Sequence, residues 1–352
     1  MMDIMELLIK TTQMGASDLH ITVGAPPIIR INGELVGLDE TILTADNVEV
    51  LVKQLLDSKH LKLSDINKQL DLSFSISGFG RFRVNIFKQR GSYSAAFRTV
   101  MNRIPSREEL GLLPVIEDLC RKQRGLILVT GPTGSGKSTT LAYMINLINQ
   151  ERKCHIITLE DPIEYLYKHD KSIINQREIG GDVTSFADGL RAALRQDPDI
   201  ILVGEMRDLE TISIAVTAAE TGHLVLSTLH TVGAAKTIDR IVDVFPPFQQ
   251  QQIKVQLSTV LEGIVSQQLL PKADGSGRIA AIEVMIANSA VRNLIREGKT
   301  FQIQNVIQTG SKVGMQTMDA SLMDLFKRGL ITKENVFQYC VEMDIVKRYL
   351  SL

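Results

Sequence analysis

The stretch "ILVTGPTGSGKSTT", residues 127–140, limits the possible folds of this chain more than any other feature. It reads as a buried strand, a glycine-rich loop and the start of a helix, and "GPTGSGKS" (131–138) matches GxxxxGK[ST] at every defined position. In such a loop the glycines let backbone N–H groups turn inward around phosphate oxygens. Lys137 brings a point charge to the outer phosphates, and the Ser138 hydroxyl can ligate Mg2+. The expected nucleotide-binding set is Gly131, Pro132, Thr133, Gly134, Ser135, Gly136, Lys137, Ser138 and Thr139. The expected ligands are ATP or GTP, with Mg2+. Short apolar runs follow the same texture: "GLILVT", "HIITLE", "DIILVGE" and "HLVLSTL", separated by helical segments. That alternation predicts an α/β unit with a mostly parallel sheet covered by helices on both faces. Ligands of such sheets collect beyond the carboxyl ends of the strands. After residue 245 the pattern reads as mainly helical, with one more strand near 279–286.

Upstream, the texture differs. Residues 3–14 carry Ile4, Leu7, Leu8 and Met14 at roughly helical spacing, and Gly15 stops the run. Short strands ("DLHITV", "PIIRING", "ELVGL"), a helix near 45–56 and the strands "DLSFSI" and "RFRVNIF" joined through "SGFG" make a small α+β domain over 1–100. The segment "MNRIPSREELGLLP" (101–114) combines two prolines, a Ser106-to-Glu109 capping box and clustered charge, and reads as an interdomain linker. The second domain spans 115–352. A length of 352 residues with 44% apolar and 22% charged content suits two globular domains.

Composition narrows the function classes. The net charge of −1 gives no general reason to bind nucleic acid or an anionic membrane. Three isolated cysteines, Cys120, Cys154 and Cys340, form neither a disulfide framework nor a CxxC pair. No apolar run approaches the ~18 residues that span a bilayer. "MMDIMELLIK" lacks the basic start of a signal peptide, and the expected compartment is the cytosol.

Other strand ends carry chemistry. In "TLEDPIEY", Pro162 suits a first helical position, which puts Glu164 third, so Asp161 and Glu164 have a capping reading. The alternative is that Glu164, beyond a sheet strand, orients or deprotonates attacking water. In "DIILVGEMRD" the strand-end Glu205 can support Mg2+ or polarise water, with an ion pair to Arg207 as the plainer alternative. "TGHLVLSTLHT" places His223 before a strand and His230 at its carboxyl end. His230 is the better γ-phosphate sensor, while His223 orients a loop.

In that order, "GPTGSGKSTT", "ITLEDPIEY", "DPDIILVGEMRD" and "TGHLVLSTLHT" resemble the P-loop, Asp box, Walker-B-like segment and His box of the secretion-ATPase superfamily. "GASDLHI", "AVRNLIREGK" (290–299) and "GMQTMDASL" (314–322) narrow the resemblance to PilT-type twitching-motility (type IV pilus retraction) ATPases, over essentially the whole chain. The resemblance implies a homohexameric ring with a small PAS-like amino-terminal domain and a RecA-like ATPase domain in each subunit. It implies Glu164 as general base and Glu205 as Mg2+ support. It also implies action at the inner face of the cell membrane on an inner-membrane platform protein of the pilus, with no nucleic acid. "AVRNLIREGK" matches the segment tied to retraction rather than hydrolysis; by its residues it is an amphipathic helix with Asn288 as cap and Gly298 as stop. Assembly-type relatives usually carry a paired-cysteine zinc site, which this sequence lacks.

Residues 80–98, "GRFRVNIFKQRGSYSAAFR", hold four arginines. Arg81 and Arg83 share one face of a strand whose other face presents Phe82, Val84 and Ile86. Their plain reading is a solvated face. Phosphoryl transfer gains from a guanidinium near the transferring group, and the ATPase motifs contain no evident cis arginine finger. Arg83 and Arg98 are therefore expected to reach the phosphates, with Arg81 and Arg90 as the secondary pair. Arg195, Arg207 and Arg240 compete as inter-subunit sensors.

Overall fold

The computed structural model describes residues 3–31, 33–76, 79–100 and 103–350. Ser77 and Gly78 of the "SGFG" turn, and Met101 and Asn102 at the head of the connecting segment, lie outside the described residues. The chain divides into two compact units: residues 1–103 with 164–166, and residues 104–163 with 167–352.

In the first unit α1 (Ile4–Gln13) begins at Asp3, whose carboxylate accepts the Met5 N–H. Strands β1 (Asp18–Ile21), β2 (Ile28–Ile31) and β3 (Glu34–Gly37) follow, then α2 (Ala45–Asp57), opened by a reciprocal Thr44–Asn47 capping box. Strands β4 (Gln69–Ile76), β5 (Gly80–Gln89) and β6 (Ser92–Val100) complete a six-stranded antiparallel sheet ordered β3-β2-β1-β6-β5-β4. Period-two alternation in β5 sends Phe82, Val84 and Ile86 into the core, beside Phe97 of β6 and Leu51 and Leu55 of α2. Each such side chain, fully buried, contributes roughly 1.5–3 kcal/mol from apolar burial. The two-residue turn between β5 and β6 is Arg90–Gly91, with φ of 49° and 80°, the sign at both positions that matches strand twist.

In the second unit α3 (Arg107–Leu110) and α4 (Val115–Cys120) lead into the sheet. The Ser106 capping box forms: Ser106 Oγ accepts the Glu109 N–H at 3.3 Å and Glu109 Oε2 accepts the Ser106 N–H at 2.8 Å. The strands are β7 (Gly125–Thr130), β8 (His155–Glu160), β9 (Ile173–Glu178), β10 (Ile200–Val203), β11 (Leu224–Leu229), β12 (Leu261–Pro271) and β13 (Arg278–Ile286). The intervening helices are α5 (Lys137–Glu151), α6 (Phe186–Ala193), α7 (Leu209–Glu220), α8 (Ala234–Asp243) and α9 (Pro247–Val260). After β13 come α10 (Ser289–Glu297), α11 (Ile303–Thr309), α12 (Met318–Lys327), α13 (Lys333–Tyr339) and α14 (Met343–Leu350). The seven-stranded sheet runs β13-β12-β7-β11-β10-β8-β9, parallel except for β13. Every residue of β7, β10 and β11 is buried, as a strand covered on both faces requires.

Two strands escape the sequence reading. The region after 245 is expected to hold one strand, yet β12 is there as well. The stretch "LEGIVSQQLLP" is buried on both faces, so it neither alternates nor shows a helical stripe, and α9 passes into it at Val260–Leu261 without a glycine or proline. β9, "IINQRE", is an edge strand too polar to stand out. Among the described residues no helix is long and apolar enough to cross a membrane.

Candidate active site

Because β7, β11, β10 and β8 are neighbours and parallel, their carboxyl ends emerge along one edge of the sheet. That edge receives the phosphate loop after Thr130, His230 after Leu229, Gly204-Glu205 after Val203 and Asp161 after Glu160. Side chains stitch the ends together: Ser227 Oγ donates to Val203 O at 2.7 Å and Thr228 Oγ1 to Gly204 O at 2.6 Å.

The loop from Gly131 to Gly136 enters α5 with Lys137 as its first residue. Gly136 closes the loop at φ 91°, a left-handed conformation that a side chain resists. At Gly131 the restriction is steric as well, since a Cβ there would lie 2.2 Å from Gln267 O of β12 and 2.6 Å from Ser135 Oγ. Lys137 Nζ donates to Gly131 O at 2.9 Å and Pro132 O at 3.0 Å, which centres its charge in the loop. Pro132, Thr133, Gly134 and Ser138 are exposed, and Ser135 is buried.

His230 connects loop and acid. Its Nδ1 lies 3.5 Å from Lys137 Nζ and 3.4 Å from Thr133 Oγ1, and its Nε2 lies 2.9 Å from Glu205 Oε1. Glu205 also pairs with the Arg207 guanidinium, so the plainer ion-pair reading of Glu205 is present in the structure. Burial alone would raise its pKa; the Arg207 hydrogen bond and the charge of His230 outweigh that and hold it below the usual carboxylate range. Glu205, kept ionised and separated from Lys137 by His230, is an oxygen donor of the kind Mg2+ favours, as is the exposed Ser138 hydroxyl, since that ion takes one or two protein oxygens and fills its shell with phosphate and water. His223 bonds locally: its Nδ1 lies 2.9 Å from Ala218 O and 3.3 Å from Thr221 Oγ1.

Glu164 is not in the first turn of a helix. The stretch after Glu160 is irregular and its Asp161–Pro162 peptide bond is cis, so the capping reading has no helix to cap. Residues 164–166 group with the first unit, where Arg83 Nη2 lies 3.5 Å from Glu164 Oε1. Arg83 and Arg98 are direct cross-strand partners in the β5–β6 register, and Arg98 Nε lies 3.0 Å from Asp18 Oδ1. Arg81, two residues from Arg83, shares its face of β5. Arg90 does not join them: it occupies the hairpin turn, seven residues along the strand from Arg83, which at about 3.3 Å per residue is ~23 Å. Of the remaining arginines, Arg195 donates to Arg191 O at 3.1 Å and Arg240 is exposed on α8.

Two buried acids went unremarked in the sequence. Glu160 ends β8, receiving Thr158 Oγ1 at 2.7 Å and Gln176 Nε2 at 3.1 Å. Glu283, 2% exposed, lies in β13. The available signals were a glutamate inside the otherwise apolar β13 and one closing the largely apolar run of β8.

The family model for type II/IV secretion system proteins matches residues 3–338. The type IV pilus retractation ATPase PilT of Pseudomonas aeruginosa is 49% identical over 334 residues, covering 95% of this chain and 97% of that protein. A twitching motility protein of Neisseria gonorrhoeae is 50% identical over 308 residues, covering 88% of this chain and 82% of its own length. A crystal structure of the pilus retraction motor PilT with bound ADP superimposes with a TM-score of 0.89 at 50% identity, covering 99% of this chain and 100% of that one.

Proposed function

The chain belongs to the type II/IV secretion system protein family, and from that membership we propose that it is an ATP-hydrolysing motor that powers type IV pilus retraction. The observation that carries this reading is the meeting of Lys137, His230 and Glu205 within hydrogen-bonding distance at one sheet edge, in a chain half identical to a retraction motor solved with ADP.

In this reading residues 131–139 cradle the phosphates through backbone N–H groups, and Lys137 offsets charge on the outer ones. When bound by Ser138 and Glu205 together with the nucleotide, Mg2+ supplies charge neutralisation to the phosphates. Glu164 orients water and takes its proton. Arg83 and Arg98 stabilise the spreading charge of the phosphoryl group, and His230 reads whether the terminal phosphate is present. The antiparallel order of the first sheet and its two helices support a PAS-like domain over 1–100, followed by a linker over 101–114 and a RecA-like ATPase domain over 115–352. The working assembly in this proposal is a homohexamer at the cytoplasmic face of the membrane. It acts through a platform protein of the pilus and withdraws pilin as nucleotide turnover rotates the domains.

Phosphate release by the purified chain, beside Glu164→Gln and Glu205→Gln, tests the chemistry; pilus imaging in a deletion strain tests the task. Surface pili that persist without shortening are expected. A wild type no faster than both variants, or pili that still retract, would overturn the proposal.

A further inference from the structure

One row of the second sheet starts at the base of the phosphate loop and crosses three strands. Thr130 of β7 is in register with Ser266 of β12, and Ser266 with Glu283 of β13. Its second and third members both reach the start of α8: Ser266 Oγ accepts the Gly233 N–H at 2.9 Å and Glu283 Oε1 the Ala234 N–H at 2.8 Å. Those amides follow His230 by only three and four residues, and Thr231 Oγ1 lies 2.7 Å from Thr237 Oγ1, closing the short connection on itself.

The same carboxylate has a second hold. The Met318 backbone at the start of α12 and the Gln304 side chain of α11 also act on it, each lowering its pKa. The entry to α12 is fixed on β13 around it: Val284 N donates to Gln316 O at 2.9 Å, Gln316 N to Val284 O at 3.1 Å, and Ile282 N to Ser321 Oγ at 2.9 Å. A carboxyl so enclosed is expensive to bury, and the starts of helices, with unsatisfied amides and a positive dipole end, are what can compensate it. Burial pushes its pKa up, and the Ala234, Met318 and Gln304 donors only partly reverse this.

We propose that Glu283 is a positioning residue for hydrolysis, a single side chain that ties the His230 connection to the entry of α12. The stance of the phosphate-reading histidine and that of the carboxy-terminal helices are thereby set together. The inference rests on the reading of His230 as phosphate sensor given above.

The test is a double-mutant cycle on the purified full chain: wild type, His230→Ala, Glu283→Gln, Ser266→Ala and the doubles with His230→Ala, each with kcat, KM for ATP and melting temperature. Glu283→Gln should lower kcat about tenfold while KM stays within about twofold, because the loop is displaced rather than the nucleotide cradle. Added to His230→Ala it should lower kcat by no more than about a further twofold, since both act on one group. A full tenfold loss on top of His230→Ala, or a lower melting temperature with unchanged kcat, overturns the tie. If Glu283→Gln does not fold, Ser266→Ala, which removes only the Gly233 acceptor, decides by the same cycle. His230→Ala at wild-type kcat would sink the sensor reading itself, a different result from an additive cycle.

Discussion

Replacing Gly131 with alanine gives a sharp test of how the phosphate loop is held. The new Cβ would start 2.2 Å from Gln267 O. An ordinary C···O contact is about 3.3 Å, so loop and strand must part by roughly 1 Å. β12 is hydrogen-bonded on both sides, to β7 and β13, so most of the displacement falls on the loop. Its φ of 141° adds a strain of about 1–3 kcal/mol for a residue with a side chain. A misplacement of ~1 Å in a group that positions the reacting centre costs about 100-fold. We expect Gly131→Ala to weaken binding of a fluorescent ADP analogue and to lower kcat/KM for ATP by about that factor. Melting should fall by roughly 2–12 °C, the product of that strain and the about 2–4 °C per kcal/mol that applies to a unit of this size. Wild-type nucleotide affinity in a folded Gly131→Ala protein would refute the packing argument, because the loop would then tolerate what the β12 carbonyl is held to forbid.

Glu164→Gln should retain nucleotide binding and lose roughly 10²–10⁴-fold in kcat, the usual contribution of a general base, as read by phosphate release. Phe97→Ala, at a position 2% exposed, should destabilise the first unit by about 3–5 kcal/mol in denaturant unfolding. Burial pushes the Cys120 thiol up to about 12, so mass spectrometry after maleimide treatment at pH 8 should find Cys120 unmodified in the native protein and modified in denaturant. The lowered pKa of Glu205 means that its folded-state interactions stabilise fully above its unfolded value of about 4.3 and are lost as pH falls through the folded value below that. In Arg207→Ala, which removes one of the partners that lower it, that loss should be smaller and complete at a higher pH in acid-unfolding titrations.

Local pattern carried much of the reading. The strand, loop and helix around Gly131, the alternation of Phe82, Val84 and Ile86, and the Ser106–Glu109 cap depend on near neighbours in sequence, and so are visible there. The register that sets Arg83 against Arg98, and the turn that removes Arg90 from them, depend on which strands pair, and spacing alone leaves that open. β12 was hidden because burial on both faces erases periodicity. Glu205 shows the limit for charges: its strand-end position and its pairing with Arg207 were legible, but its contact with His230 needed three-dimensional neighbours. At Pro162 a sound local rule for helix starts pointed to a helix that does not form.

The strand order of the second sheet also bears on biosynthesis. β7, the earliest of its strands to be made, sits between β11 and β12, which are translated much later. A ribosome that has just finished the phosphate loop has therefore produced a strand with neither permanent neighbour, and the Gln267 carbonyl that seats Gly131 is still uncoded chain. Pairing so distant in sequence is slow and leaves sticky edges bare meanwhile, so chains halted before β12 is complete should aggregate rather than capture nucleotide.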